Sequence, residues 1–403
     1  MTTDLQRDAR RTALIFASTM AIVGSAAPIA ISMGALAGHY LLGTDKSLAS
    51  APVTGFNVGV ALGALPAAAI LRGAGQRRGF MLGTLMTALG GATATFALFQ
   101  ANFWLFVTGL LVVGFGGAFV QQLRFAAADN APPEFKPRAI SFVLAGGVVT
   151  AILGPQIVIW TRDLFAPVMF AGAFASMMVL AAVGAIILMF LRSNAALIEA
   201  ASAGQPAAAR PLAEIVRQPR FAIGLLCGVS SYALMSFVMT GAPLAMVGCG
   251  FTPDEATLGI SWHVMAMFAP SFFTGRLIGR YGAERIVAAG LLLLIACAAV
   301  ALSGIELWQF WTALILLGLG WNFGFIGATA MIATSYRPSE KGRAQGFHDF
   351  VLFSSVALGS LMSGITYNAW GWDMLNWVVF PICLICLAAL AILGLSKRKG
   401  AAA

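Results

Sequence analysis

Long apolar runs separated by short charged turns constrain this chain more than any other feature. Each run reaches the roughly 18–20 residues that cross a hydrocarbon core of about 30 Å as a helix. Segments such as RRGF, NAPPEFKPR and YRPSEKGR separate them. Of the 403 residues, 60% are hydrophobic and only 10% are charged, against about 25% charged in water-soluble domains. A membrane β-barrel would show short segments of alternating polarity instead. The sequence therefore predicts an all-α integral membrane protein. Twelve spans are read, at 12–36, 48–71, 79–99, 103–128, 139–160, 166–191, 221–247, 256–278, 286–303, 307–334, 344–367 and 374–395. The first run is long and lacks a small-residue cleavage site, so it is expected to stay in the mature chain.

Charge sets the expected orientation. Of the 24 Lys and Arg, 21 fall in the two tails and in alternate loops, and the opposite loops hold two, Lys46 and Arg162. The remaining one, Arg124, lies inside span 4. Basic loops stay on the cytoplasmic side, which places both termini in the cytoplasm and agrees with an even number of spans. The net charge of +9 is thus read as topology and lipid contact, not as nucleic-acid binding. Cys383 and Cys386 form a C-x-x-C in the last span, but no acidic or histidine neighbour in sequence suggests a metal or redox role. GAGQRRG lacks the Lys-Ser/Thr of a phosphate-binding loop and follows a helix, not a strand. No cofactor or metal is implied.

The chain also repeats itself. GFGG (114–117), PEFKPRA (133–139) and LGP (153–155) return as GLGW (318–321), PSEKGRA (338–344) and LGS (358–360), 204 to 205 residues later. RGAGQRR (72–78) returns as GRYGAER (279–285), with Gly75 matching Gly282. The expected organisation is a six-helix bundle at 1–192, a polar cytoplasmic linker at 193–220 and a second, pseudo-symmetric six-helix bundle at 221–403. Parallel halves of this kind place a substrate near the membrane midplane between them.

On these features the whole chain resembles the major facilitator superfamily. The loop between spans 2 and 3 is similar to its G-x-x-x-D-R-x-G-R-R signature, with Arg72 at the Asp position and Ala68 at the first Gly. GGVVTAILGP in span 5 resembles the Gly-Pro motif of proton-coupled drug antiporters without its later glycines. SYALMSFVMTGAPLAM (231–246), HVMAMFAPSFFTG (263–275), and WNFGFIGATAMI (321–332) with QGFHDF (345–350) resemble a bacterial subgroup that includes riboflavin uptake proteins. The resemblance implies that spans 1, 4, 7 and 10 line the cavity. It also implies a cytoplasmic latch between Asp129 and the arginines Arg72, Arg77 and Arg78, echoed in the second half by Arg280.

Ionisable groups inside a membrane helix are costly and usually face the bundle interior. Gln345, His348 and Asp349 share one face of span 11, extended by Phe353. They are read either as a proton-coupling or substrate group or as a gate. On span 4, Gln121, Arg124 and Phe125 share a face. The planar fork of Arg124 suits an anionic or carbonyl-rich ligand or, alternatively, a structural carboxylate. Asn57 adds an amide on span 2. His263 on span 8 is read as a neutral hydrogen-bonded histidine or as a pH sensor. Trp321, Asn322 and Phe325 on span 10, with Tyr232 and Met235 on span 7, suggest an aromatic and thioether wall. Stacking surfaces with few amides suit a planar heterocycle better than a sugar.

The leading reading is a secondary transporter of a small organic solute, working as a monomer in the bacterial inner membrane, with riboflavin uptake the best single assignment. Proton-coupled drug or metabolite efflux is the alternative. A non-transporting receptor or an intramembrane enzyme on the same fold is the reading from another class. Catalysis would want a nucleophile–base pair, and His348 and Asp349, adjacent on a helix, are expected to point about 100° apart.

Overall fold

A computed structural model describes residues 2–132, 135–191 and 210–402, and among these every regular element is helical. Span 1 is built from α1 (Thr2–Val23) and α2 (Ala26–Leu41), and spans 2 to 6 are α3 (Ala51–Gly73), α4 (Gln76–Phe99), α5 (Phe103–Asp129), α6 (Lys136–Thr161) and α7 (Ala171–Met189). The short α8 (Leu212–Val216) precedes α9 (Pro219–Gly248), which is span 7. Span 8 is broken into α10 (Pro253–Phe268) and α11 (Ser271–Tyr281), which meet at 42°. Pro270 at the break has no N–H to continue the ladder. Spans 9 and 10 are α12 (Ala283–Leu302) and α13 (Leu307–Ala333).

The last apolar stretch, Arg343–Leu395, runs 53 residues, about 80 Å as one rod and more than twice a hydrocarbon core. It folds back at Gly371 (φ 75°) inside α14 (Lys341–Trp377), before α15 (Val379–Ala402). Ten apolar stretches, or eleven with the bent pair, become the expected twelve once this one is divided.

Lipid offers no water to a hydroxyl, which favours a partner inside the protein. Ser25, Ser32, Thr87 and Thr95 donate to carbonyls four residues back, at 2.7–3.1 Å. Helix ends are capped where the chain turns. Asn102 accepts from the Leu105 amide, and Thr252 and Glu255 form a reciprocal capping box that satisfies otherwise orphan N–H groups.

Gly75 (φ 86°, ψ 154°) opens α4 and Gly282 (φ 88°, ψ 149°) opens α12. The internal repeat pairs these two residues, and their backbones match in a region that favours glycine. Two large apolar clusters pack spans 1 to 6 and one packs spans 7 to 12. The linker expected at 193–220 lies outside the described residues as far as 209. From Arg210 onward it packs against the second half. Ile215 of α8 is fully buried with Phe221, Ile332 and Ala344.

Arg210 binds Glu340 with Nε and Nη2, each at 2.8 Å, and Glu340 also accepts from the amides of Arg210 and Arg337. The side-chain bonds from Arg210 come first in holding the Glu340 carboxyl well below the usual carboxylate range, against the cost of desolvation.

Candidate functional site

The described hydrogen bonds and ion pairs between the two halves lie at one end of the bundle. Ser50, at the start of span 2, donates to the Leu361 carbonyl at 3.2 Å and accepts from the Gly364 amide at 3.1 Å, and Ser360 donates to Thr54 at 3.0 Å. Ser261 of span 8 donates to the Ala151 carbonyl of span 5 at 2.5 Å. Above them Arg162 pairs with Asp254 at 2.8 Å. All of these belong to the end carrying the 1–2, 5–6, 7–8 and 11–12 loops. Among the described residues no hydrogen bond or ion pair joins the halves at the opposite, arginine-rich end. The described polar contacts between the halves are thus all on the first side. Span 5 contributes through glycine: a Cβ on Gly147 would stand 3.0 Å from the Phe268 ring of the other half, so the ring packs close on this backbone.

An aromatic cluster lies on the second half. The Tyr232 ring stands edge-on to Trp321 (5.3 Å, 81°), Phe325 (5.1 Å, 71°) and Phe353 (6.3 Å, 62°). Trp321 and Phe325 stack at 5.3 Å and 21°, Phe268 meets Trp321 edge-on, and Phe325 stacks on His348. Phe353 also packs against the apolar cluster of the first half. The cluster therefore reaches the boundary between the halves, as a planar-ligand site needs.

Arg124 faces this cluster from span 4. Its electrostatic neighbours are Tyr232 and Asp349, both on the other half. Its guanidinium lies 4.8 Å from the Phe125 ring centroid, and its Nε is buried without a partner. Gln121, one turn earlier, is exposed, and Asn57 is half-buried; among the described hydrogen bonds neither amide is engaged.

Span 11 departs from expectation. His348 Nδ1 and Asp349 Oδ1 lie 2.9 Å apart, so the two side chains curl toward each other despite the helical angle between their Cα atoms, and the expected divergence is corrected. His348 is buried and Asp349 has a side chain 49% exposed. Gln345 turns away from them and donates to the Tyr336 hydroxyl at 3.0 Å. The stripe thus splits: Asp349 stays half-exposed, His348 faces the aromatic cluster and Gln345 the 10–11 loop.

Three residues assigned to the cavity are employed in packing instead. His263 is fully buried, with Nδ1 2.9 Å from the Leu314 carbonyl. Asn322 is fully buried and pins the break in span 8. Its Nδ2 donates to the Met267 carbonyl and Ser271 Oγ, and its Oδ1 accepts from Thr274, at 2.6–2.7 Å. Met235 is 1% exposed in the core of the second half; three residues beyond Tyr232, it falls on the flank of the helix face and not at its centre.

The latch is also built differently. Asn130 Nδ2 donates to Gln76 Oε1 at 2.6 Å, tying the 2–3 loop to the end of span 4 with amides. Among the described residues no ion pair joins Asp129 to Arg72, Arg77 or Arg78, and all three arginines are exposed. Arg280 is likewise exposed and lies over the Tyr281 ring at 5.3 Å. Sequence reasoning missed the Arg162–Asp254 pair. The one available signal was that Arg162 is among only two basic residues in the far loops.

Comparison with known proteins supplies the wider frame. The model of the Major Facilitator Superfamily matches residues 12–270 and again 224–402. The chain is 50% identical over 395 residues to the riboflavin transporter RfnT of Brucella anthropi, covering 98% of each chain. It is 30% identical over 353 residues to the uncharacterized MFS-type transporter YddS of Bacillus subtilis, covering 83% of this chain and 80% of that one. Among solved structures, a D-xylose–proton symporter superposes with a TM-score of 0.67 at 13% identity, over 96% of both chains. The human organic anion transporter MFSD10 superposes with 0.66 at 17% identity, over 95% of this chain and 99% of that chain. At these identities the two structures speak for the fold alone.

Proposed function

The chain belongs to the major facilitator superfamily, and from that premise we propose that it carries riboflavin, or a planar heterocycle much like it, into the cell by alternating access. The single observation that carries the reading is the 50% identity over 98% of both chains to a riboflavin transporter. The aromatic cluster of Tyr232, Trp321, Phe325 and Phe353 supports it, because stacking surfaces hold a flat ring system and leave a sugar's hydroxyls unmet.

In this reading the protein works as a monomer in the bacterial inner membrane, transporting and not catalysing, with both termini in the cytoplasm as its basic loops require. The end without described polar contacts between the halves then faces the cytoplasm, and the structure is read as an inward-open state. Riboflavin rests between Arg124 and Gln121 of span 4, Asn57 of span 2 and the aromatic wall of spans 7, 10 and 11. Asp349 gates that cavity on the cytoplasmic side. In the outward-open state the Ser50–Gly364 and Arg162–Asp254 contacts part, and the arginine-rich ends close over the site.

The test is complementation. A bacterium unable to make riboflavin and lacking its own uptake system should grow on micromolar riboflavin when it expresses this chain. Lack of growth despite membrane expression confirmed by immunoblot would contradict the proposal.

A further inference from the structure

Opposite charges inside an apolar bundle ordinarily pair. Arg124 and Asp349 do not. They are electrostatic neighbours across the boundary between the halves, yet no ion pair within 4.0 Å joins them. Asp349 commits Oδ1 to His348, and among the described hydrogen bonds Oδ2 has no partner. Arg124 makes no described hydrogen bond at all, and its Nε is buried and unpaired. The Tyr232 hydroxyl, the other neighbour of Arg124, is also unbonded among the described residues. Arg124 and Asp349 are each half-buried, so a ligand that bonds both satisfies the buried Nε and the free carboxylate oxygen together.

The chemistry of the gap defines its complement. Arg124 only donates, and Tyr232 can donate. Asp349, when ionised, only accepts. A ligand edge that offers acceptors to the first two and a donor to the third satisfies all three. A cation would pair Asp349 and leave Arg124 unmet, and an anion would do the reverse. We infer that Arg124, Tyr232 and Asp349 read the carbonyl–NH–carbonyl edge of a neutral cyclic imide whose ring lies beside the aromatic cluster of Tyr232, Trp321 and Phe353. This rests on the proposed function and deepens it: the pyrimidinedione edge of the flavin ring is the recognised group, and the ribityl chain is secondary. Because Arg124 belongs to one half and Asp349 to the other, the imide completes a bridge between them.

The experiment measures binding to the purified protein by quenching of flavin fluorescence. Riboflavin, lumiflavin (the same ring without the ribityl chain) and 3-methyllumiflavin (the imide N–H replaced by N–CH3) are compared. Wild type should bind lumiflavin and bind the 3-methyl form at least about tenfold more weakly, as expected for loss of a hydrogen bond to a charged group. Asp349→Ala should bind lumiflavin more weakly and lose the discrimination between the two. Arg124→Gln should weaken both ligands alike. Equal wild-type affinity for lumiflavin and its 3-methyl form overturns the inference, as does binding of riboflavin without binding of lumiflavin. Both of those outcomes leave the proposed function standing. Failure to bind any of the three overturns the functional reading and the inference with it. If Asp349→Ala does not fold, the wild-type comparison alone decides.

Discussion

At the scale of single residues, the consequential feature is the indole ring of Trp321. Trp321 is 6% exposed, stacks on Phe325, and keeps its Nε1–H unbonded. Trp321→Phe retains the stack and should change riboflavin affinity by less than about threefold. Trp321→Ala removes an aromatic pair worth up to about 1.5 kcal/mol and should weaken binding by about tenfold. Titration of the purified variants distinguishes the two. Equal loss in both would mean that the N–H, and not the ring, carries the contact.

Glu340 offers a second residue-scale prediction, outside the membrane. Its carboxyl is depressed by Arg210. A depressed carboxyl stabilises the fold fully above its unfolded value, near 4.5, and loses that contribution as pH falls further. Glu340→Gln should therefore lower the melting temperature at pH 7, and the difference from wild type should shrink as pH drops below about 4.5. A difference that stays constant across that range would contradict the assigned pairing.

At the scale of elements, the polar contacts between the halves are made by spans 2 and 11 and by spans 5 and 8. A cysteine pair at Thr54 and Ser360 would join spans 2 and 11 where their hydroxyls lie 3.0 Å apart. Oxidative cross-linking should abolish uptake, and reduction should restore it. Unchanged uptake after complete cross-linking, verified by mass spectrometry, would mean that this end does not open. The spans themselves were plain in the sequence, because the length and apolarity a bilayer demands leave few alternatives. Their neighbours were not. Helical spacing puts Gln345, His348 and Asp349 on one face, yet it does not say that Gln345 reaches Tyr336 and His348 reaches Asp349. His263 and Asn322 were recognisable as embedded polar groups. Their use as packing pins between spans 8 and 10 depends on carbonyls some fifty positions away in sequence. The Arg162–Asp254 pair was hidden for the same reason, since its partners lie in different halves.

At the scale of the whole molecule, the account is of a two-half transporter with Arg124 of one half and Asp349 of the other as electrostatic neighbours. If protons drive uptake, Asp349 is the group placed to carry them, since Arg124 does not deprotonate. Asp349→Asn should then abolish accumulation against a gradient while leaving exchange of external for internal substrate measurable. A variant that still accumulates riboflavin and is still stopped by an uncoupler would transfer that role to another group. The repeated Gly75 and Gly282 turns and the single-ended contacts between halves fit a rocking motion about a central site. The central claim is that this motion carries riboflavin. The most direct measurement is uptake of radiolabelled riboflavin by liposomes containing only the purified protein. The account predicts saturable entry, competed by unlabelled riboflavin and lost in Trp321→Ala. Entry no faster than into protein-free liposomes, with the protein shown to be folded and inserted, would contradict it.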